Sequence, residues 1–152
     1  MIALIDYGMG NLRSVEKALE KAGASPRRVE DPRSLSRARA IVLPGVGAFG
    51  DAVRELRRRK LFDAVRRAVR EGVPYLGLCL GLQLLFERSE EAPGLEGLSL
   101  LPGRVVRFRG SLKVPHMGWN SLRPQIPGGG RLLRGIPEGT YYYFVHSYYA
   151  VP

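Results

Sequence analysis

Cys79 is the residue in this sequence best placed to do chemistry. It stands in Val73-Pro-Tyr-Leu-Gly-Leu-Cys79-Leu-Gly81-Leu-Gln83. The apolar, strand-like run Tyr75 to Leu78 leads into Gly77-x-Cys79-x-Gly81, and Leu82, Leu85 and Phe86 follow at helical spacing. That is the strand-turn-helix layout of a nucleophile elbow, with Cys where hydrolases place Ser. The glycines have a steric reason: side chains flanking the nucleophile would collide with neighbouring backbone in so tight a turn. The turn lifts the sulfur above a sheet edge and sets it at a helix N-terminus, where backbone dipoles favour the thiolate. A lone cysteine is otherwise a small buried hydrophobe. The flanking glycines and the switch from strand to helix are what point to catalysis instead.

A cysteine nucleophile on an elbow suits acyl transfer, in which sulfur attacks a carbonyl and a tetrahedral oxyanion collapses to a thioester. The oxyanion needs donors. The N–H of Leu80, just after the nucleophile, is one. The second has to come from a neighbouring loop, and Pro44-Gly45-Val46-Gly47 is the best candidate, through the N–H of Val46 or Gly47. One such donor is worth about 3–4 kcal/mol of barrier. The alternative for that loop is an ordinary strand-to-helix turn. His116 and His146 are the two candidate bases. No acidic residue stands near either in sequence to orient its ring, so each reads as a hydrogen-bonded structural imidazole.

The elements that position these residues alternate. Met1 to Ile5, Arg27 to Glu30, Ala40 to Leu43 and Tyr75 to Leu78 read as strands. Asn11 is placed to cap a helix whose apolar face is Leu12, Val15, Leu19 and Ala22, with Gly23 as a stop. Helical patterns cover Asp51 to Arg58 and Leu61 to Glu71, broken near Lys60, and the elbow helix is expected to run to about Arg88. This predicts an α/β fold with a mostly parallel, flavodoxin-like sheet and helices on both faces. Function in such sheets gathers at the carboxyl ends of the strands. Three glycine-rich loops fall there: Asp6 to Gly10, Pro44 to Gly50 and Gly77 to Gly81. Gly8-x-Gly10 lacks the third glycine and the ribose-binding acid of a dinucleotide site, so a tight turn is preferred. After Ser89 the strands look like hairpins, Gly103 to Arg109, Lys113 to Pro115 and Tyr141 to Tyr149, which predicts an antiparallel extension within a single 1–152 domain.

Composition narrows the class. The chain has 152 residues, one Cys and two His, which rules out a disulfide framework and any usual zinc cluster. No apolar run approaches membrane-spanning length, and the N-terminus lacks the marks of a signal peptide. The expectation is a cytoplasmic protein with no metal, no cofactor and no membrane partner. The net charge of +10 invites a nucleic-acid reading. Arg54, Arg57, Arg66, Arg67 and Arg70, however, lie opposite Val53, Leu56, Ala64, Val65, Ala68 and Val69, as solvated helix faces do. No nucleic-acid partner is expected. Asparagine occurs only at Asn11 and Asn120, consistent with a thermophilic source.

Several separated motifs resemble one family over the whole chain. They are Ile5 to Leu12, Leu43 to Gly50, Gly77 to Gln83, Lys113 to Asn120 (Lys-Val-Pro-His-Met-Gly-Trp-Asn) and Tyr143 to Tyr149. Together they resemble the glutaminase subunits of imidazole glycerol phosphate synthases, class I (triad-type) glutamine amidotransferases of histidine biosynthesis. The resemblance implies that Cys79 attacks the side-chain amide of glutamine and releases ammonia. It implies that Gln83, Ser147 and Tyr148 hold the substrate. Ammonia would pass to a (β/α)8 cyclase subunit in a heterodimer. That makes Met117, Trp119 and Asn120 partner-interface residues, with Trp119, in a Gly-flanked loop, as an anchor. The alternative for Trp119 is a core residue. In that family a His-Pro-Glu motif follows the Ser-Tyr-Tyr stretch and completes the triad. These 152 residues do not contain it, and the expectation is a C-terminally incomplete amidotransferase domain. The alternative function is a non-catalytic binding or regulatory protein that keeps the fold.

Overall fold

Alternating small and branched apolar residues build the centre of the sheet. β1 (Ile2–Ile5), β2 (Pro26–Val29), β3 (Ala40–Leu43) and β4 (Tyr75–Gly77) pair in parallel in the order β2-β1-β3-β4. The computed structural model describes residues 1–111, 113–125 and 130–152. They fall into two compact units, Met1–Val106 with Ala150–Pro152, and Arg107–Tyr149. In the first unit, register places Ala3 beside Ile41 and Leu4 beside Val42. Ala3, Ile5, Ile41 and Leu43 join one core cluster with the helices described below. Leu4 and Val42 point to the opposite face and are buried there too. Both faces of the parallel sheet are covered, as the apolar runs require.

The helices begin and end for local reasons. Helix α1 (Leu12–Lys21) starts at Asn11, whose side chain accepts from the Ser14 N–H at 3.2 Å. Its apolar stripe, Leu12, Val15 and Leu19, is only half-buried. Helix α2 (Pro32–Leu35) is one turn that the sequence reading did not anticipate. Asp31 accepts from the N–H groups of Arg33 and Ser34, and Pro32 sits at the first helical position. Helices α3 (Phe49–Arg58) and α4 (Leu61–Arg70) are separated at Lys60, whose φ of 59° is left-handed. Phe49, Val53, Leu56, Leu61 and Val65 carry these two helices onto the sheet. Arg54, Arg57, Arg67 and Arg70 stay exposed and Arg66 is half-buried.

The elbow helix α5 (Leu80–Gln83) is a single turn and not the longer helix expected to reach Arg88. Its ladder is replaced by tertiary backbone bonds. The Leu84 carbonyl accepts from Leu98 N–H, and the Leu85 carbonyl accepts from Leu100 and Leu101. Leu84, Phe86 and Leu98 are buried by this exchange. β5 (Arg88–Ser89) then pairs in parallel with β6 (Arg104–Arg107), so this pair is not the hairpin expected after Ser89. In the second unit β7 (His116–Ser121) and β8 (Tyr141–His146) form an antiparallel two-stranded ribbon, and β9 (Tyr148–Val151) leads the chain back to the first. The antiparallel extension is therefore this ribbon. The expected strand at Lys113–Pro115 begins instead at His116, and Trp119 lies in β7 and not in a loop.

Burial orders the cost of truncation. Leu56 is fully buried between helix and sheet, so Leu56→Ala should cost about 2–5 kcal/mol of stability. Leu19→Ala, from the half-buried stripe of α1, should cost less than half as much. Urea denaturation of the two variants checks the ranking.

Candidate active site

β3 and β4 end side by side, with Leu43 in register with Gly77. The Leu78 N–H donates to the Leu43 carbonyl at 3.0 Å, so the pairing continues one residue into the turn. Cys79 then takes φ 55° and ψ −109°, a conformation that L residues rarely adopt. Such backbone strain costs about 1–3 kcal/mol and clusters at functional sites. The thiol is exposed, which is not the placing of a small buried hydrophobe. Its backbone carbonyl accepts from Leu82 and Gln83, closing the turn beneath it.

The flanking glycines are required by space. A Cβ on Gly77 would lie 2.5 Å from the Gly81 carbonyl and the Leu82 nitrogen. A Cβ on Gly81 would run into the Leu43 carbonyl. Both obstacles are backbone and cannot swing aside.

The Pro44–Gly47 segment leaves β3 at the same sheet edge. Gly45 packs on the elbow: a Cβ there would meet Leu80 Cβ at 2.8 Å and Gly81 N at 3.3 Å. Val46 is 56% exposed and Gly47 has φ +96°. Helix α3 follows directly. Its cap residue, Ala48, has no side-chain acceptor, and Glu91 supplies one instead by accepting from the Phe49 N–H at 2.8 Å. Nothing in the sequence points to Glu91, because the capped nitrogen is 42 positions away. Two phenols also hold this region and were not singled out from sequence. Tyr7 donates to the Pro44 carbonyl at 3.0 Å, and Tyr75 donates to the Gly81 carbonyl at 2.7 Å. The available signal was a tyrosine just past a buried strand and another at the start of the elbow strand. Gln83, the last residue of α5, is half-buried.

The remaining candidate residues lie in the second unit. Ser147 sits between β8 and β9, half-buried, and its carbonyl accepts from Phe108 N–H at 3.0 Å. Tyr148 is half-buried, and its carbonyl lies 2.9 Å from His146 Nδ1. A carbonyl only accepts, so that nitrogen carries the proton. His116 stands opposite His146 in the ribbon, with ring centroids 5.7 Å apart. Phe108 packs edge-on to His146 and stacks on Tyr149. His116 Nε2 meets the Asn120 side-chain amide. Each imidazole is thus hydrogen-bonded within an aromatic cluster, as structural histidines are. Alternation places Met117, Trp119, Tyr141, Tyr143 and Val145 on the other face, where they are 49–67% exposed. Asn120 shares the histidines' face and not that of Trp119.

The family model described as glutamine amidotransferase class-I matches residues 3–152. The chain belongs to that family. It is 55% identical over 151 residues to imidazole glycerol phosphate synthase subunit HisH of Moorella thermoacetica, covering 99% of this chain and 71% of that protein. The protein of the same name from Geobacillus thermodenitrificans is 54% identical, with 100% of this chain and 73% of that one covered. Among solved structures, a glutamine amidotransferase superposes with a TM-score of 0.76 at 21% identity, over 97% of this chain and 72% of that one. PurLQS from Thermotoga maritima superposes at 0.65 and 20% identity, over 99% of this chain and 68% of that chain. These two likenesses carry the fold of the amidotransferase. Its mostly parallel sheet and covering helices match the α/β class expected from the alternating pattern.

The elbow of this amidotransferase leaves a sharp steric prediction. Gly81→Ala should prevent folding or lower the melting temperature by about 4–12 °C or more, on the order of a severe core clash of 2–3 kcal/mol or more. Gly94→Ala, at positive φ but with nothing within 4 Å, should be far milder. Equal effects in differential scanning fluorimetry would remove the steric account.

Proposed function

We propose that this chain is the glutamine-hydrolysing subunit of an imidazole glycerol phosphate synthase. The observation that carries the reading is an exposed Cys79 at positive φ on a glycine-flanked elbow, in a chain more than half identical to HisH proteins. Cys79 Sγ attacks the side-chain amide carbon of glutamine. The carbonyl oxygen gains the negative charge, and the N–H of Leu80 with that of Val46 or Gly47 receives it. The C–N bond breaks, ammonia leaves with a proton, and a thioester remains. Water attacks the thioester, glutamate departs, and the thiol is restored. Gln83, Ser147 and Tyr148 are the residues we assign to holding glutamine. Neither His116 nor His146 is assigned the base, since neither matches the position of the family's triad imidazole.

Ammonia would go to a (β/α)8 cyclase partner in a heterodimer. The exposed apolar face of the ribbon, with Met117 and Trp119, supports a partner contact there. Asn120 then serves the interface by holding His116 behind that face, and not by pointing into it. Among the described residues no helix is long and apolar enough to cross a membrane. With relatives named for a biosynthetic synthase, this supports a cytoplasmic assignment. The exposed, strained cysteine opposes a fold-keeping protein without chemistry, because a scaffold gains nothing from it.

Two measurements test the reading. In the complete protein assembled with its cyclase, Cys79→Ala should abolish glutamine-dependent turnover and leave turnover from free ammonia intact. Retained glutaminase activity would sink the nucleophile assignment. Trp119 is 67% exposed, so Trp119→Ala should weaken cyclase association by at least tenfold, the cost of a typical hot-spot truncation of roughly 1.4 kcal/mol or more. The melting temperature of the free subunit should hardly move. Unchanged association in titration calorimetry would take Trp119 out of the interface.

A further inference from the structure

The phenol of Tyr7 is a fully buried polar group to which the thioester chemistry gives no task. Its hydroxyl donates to the Pro44 carbonyl at 3.0 Å. The same oxygen lies 2.7 Å from where a Gly45 Cβ would be, and Leu80 Cβ and Gly81 N lie 2.8 and 3.3 Å from that position. Tyr7, Gly45 and the first turn of the elbow are therefore stacked in contact. Burial first, and the charge of Cys79 second, push the phenol far above its ordinary range. It stays neutral and remains a donor at every pH at which the enzyme works.

A trans peptide points its C=O and N–H in opposite directions. Holding the Pro44 carbonyl inward thus fixes the plane of the Pro44–Gly45 peptide. From that plane the chain runs through Gly45 to the peptides that carry the N–H groups of Val46 and Gly47, so the phenol anchors the loop at its root. Gly47 at φ +96° and a largely exposed Val46 leave this stretch with conformational freedom that the phenol restricts at its root. Tyr75 does the corresponding work on the other side, donating to the Gly81 carbonyl of the elbow itself.

We propose that Tyr7 is a positioning residue of the glutaminase, whose hydrogen bond to the Pro44 carbonyl orients the Pro44–Gly47 loop so that it presents its oxyanion donor. The proposal rests on the reading of Cys79 as nucleophile. It separates two properties of the site: reactivity of the sulfur, which the elbow sets, and stabilisation of the oxyanion, which the loop sets. Direct alkylation of a thiol forms no oxyanion, and glutamine hydrolysis forms two.

The test uses Tyr7→Phe in the complete protein assembled with its partner. Losing an oriented oxyanion donor costs about 10²–10³-fold in kcat. We expect kcat for glutamine to fall at least tenfold with KM within about twofold of wild type, while the rate of Cys79 alkylation by iodoacetamide changes less than about twofold. p-Aminophenylalanine at position 7, which returns an N–H donor to the same place, should recover most of the lost kcat. An unchanged kcat overturns the proposal. So does alkylation that falls in step with kcat, or a p-amino variant no better than Phe, because each leaves Tyr7 only a packing role. Failure of the underlying reading looks different: glutaminase activity would then survive Cys79→Ala.

Discussion

The contact of Gly81 with the Leu43 carbonyl is the constraint on which the site depends. Two backbones meet there with no room for a single methyl group. The contact exists because β3 and β4 are adjacent and end in register, with Leu43 beside Gly77. Parallel pairing carries both chains to the same sheet edge, and the turn after β4 has to fold back over the end of β3. Everything said about the sulfur follows from that closure. The turn has to be tight, its flanking residues have to lack side chains, and the residue at its tip is driven to φ 55°. A strain of about 1–3 kcal/mol at the tip is tolerable because the surroundings determine it on all sides. Leu43 and Leu84 are fully buried, Leu80 nearly so, and Tyr75 ties the Gly81 carbonyl.

The same closure explains what the sequence disclosed and what it hid. A steric requirement leaves its mark on residue type, so Gly77, Cys79 and Gly81 were legible at once. Strand alternation was legible for the same reason: Ala40–Leu43 is bounded as expected, and the Asn11 cap and the Lys60 break occur where local chemistry puts them. The length of α5 was not legible. Leu82, Leu85 and Phe86 do have helical spacing, but the carbonyls that would continue the helix are taken by residues 98 to 101. Propensity lost to tertiary hydrogen bonding, which no local window contains. Helix α2 is too short to show a period, although Asp31 before Pro32 is a recognisable start. Glu91 and the two phenols act across the fold on backbone atoms, and a backbone partner leaves no trace in the partner's own residue type.

Tyr7 and Tyr75 also show how polar groups can be buried beside an open site. Tyr75 is half-buried, and burial raises its pKa well above the ordinary value, with Tyr7 adding to it. Two neutral donors are thereby placed beside the elbow, each bonded to a backbone carbonyl. Charged donors buried there would need compensating charges. Phenols bonded to carbonyls bring fixed geometry without that cost. Several arginines, by contrast, pair at the surface. Arg54 and Arg58 pair with Asp51 and Glu55 one turn away, and such exposed pairs are worth little.

The β7–β8 ribbon follows the reverse logic. Its alternation reads as a half-buried strand pair, yet its more accessible face is the apolar one. Trp119 and Tyr143 pack edge-on across the strands with 67% and 54% of their surfaces open. The polar imidazoles are on the more covered face, among Phe108 and Tyr149. A two-stranded ribbon is marginal by itself in water, so the histidine-aromatic cluster on one face is what defines its shape. On the opposite face Met117 pairs across the strands with Val145, and Trp119 with Tyr143. The histidine-aromatic cluster thus orders the ribbon from one face and leaves the apolar face open.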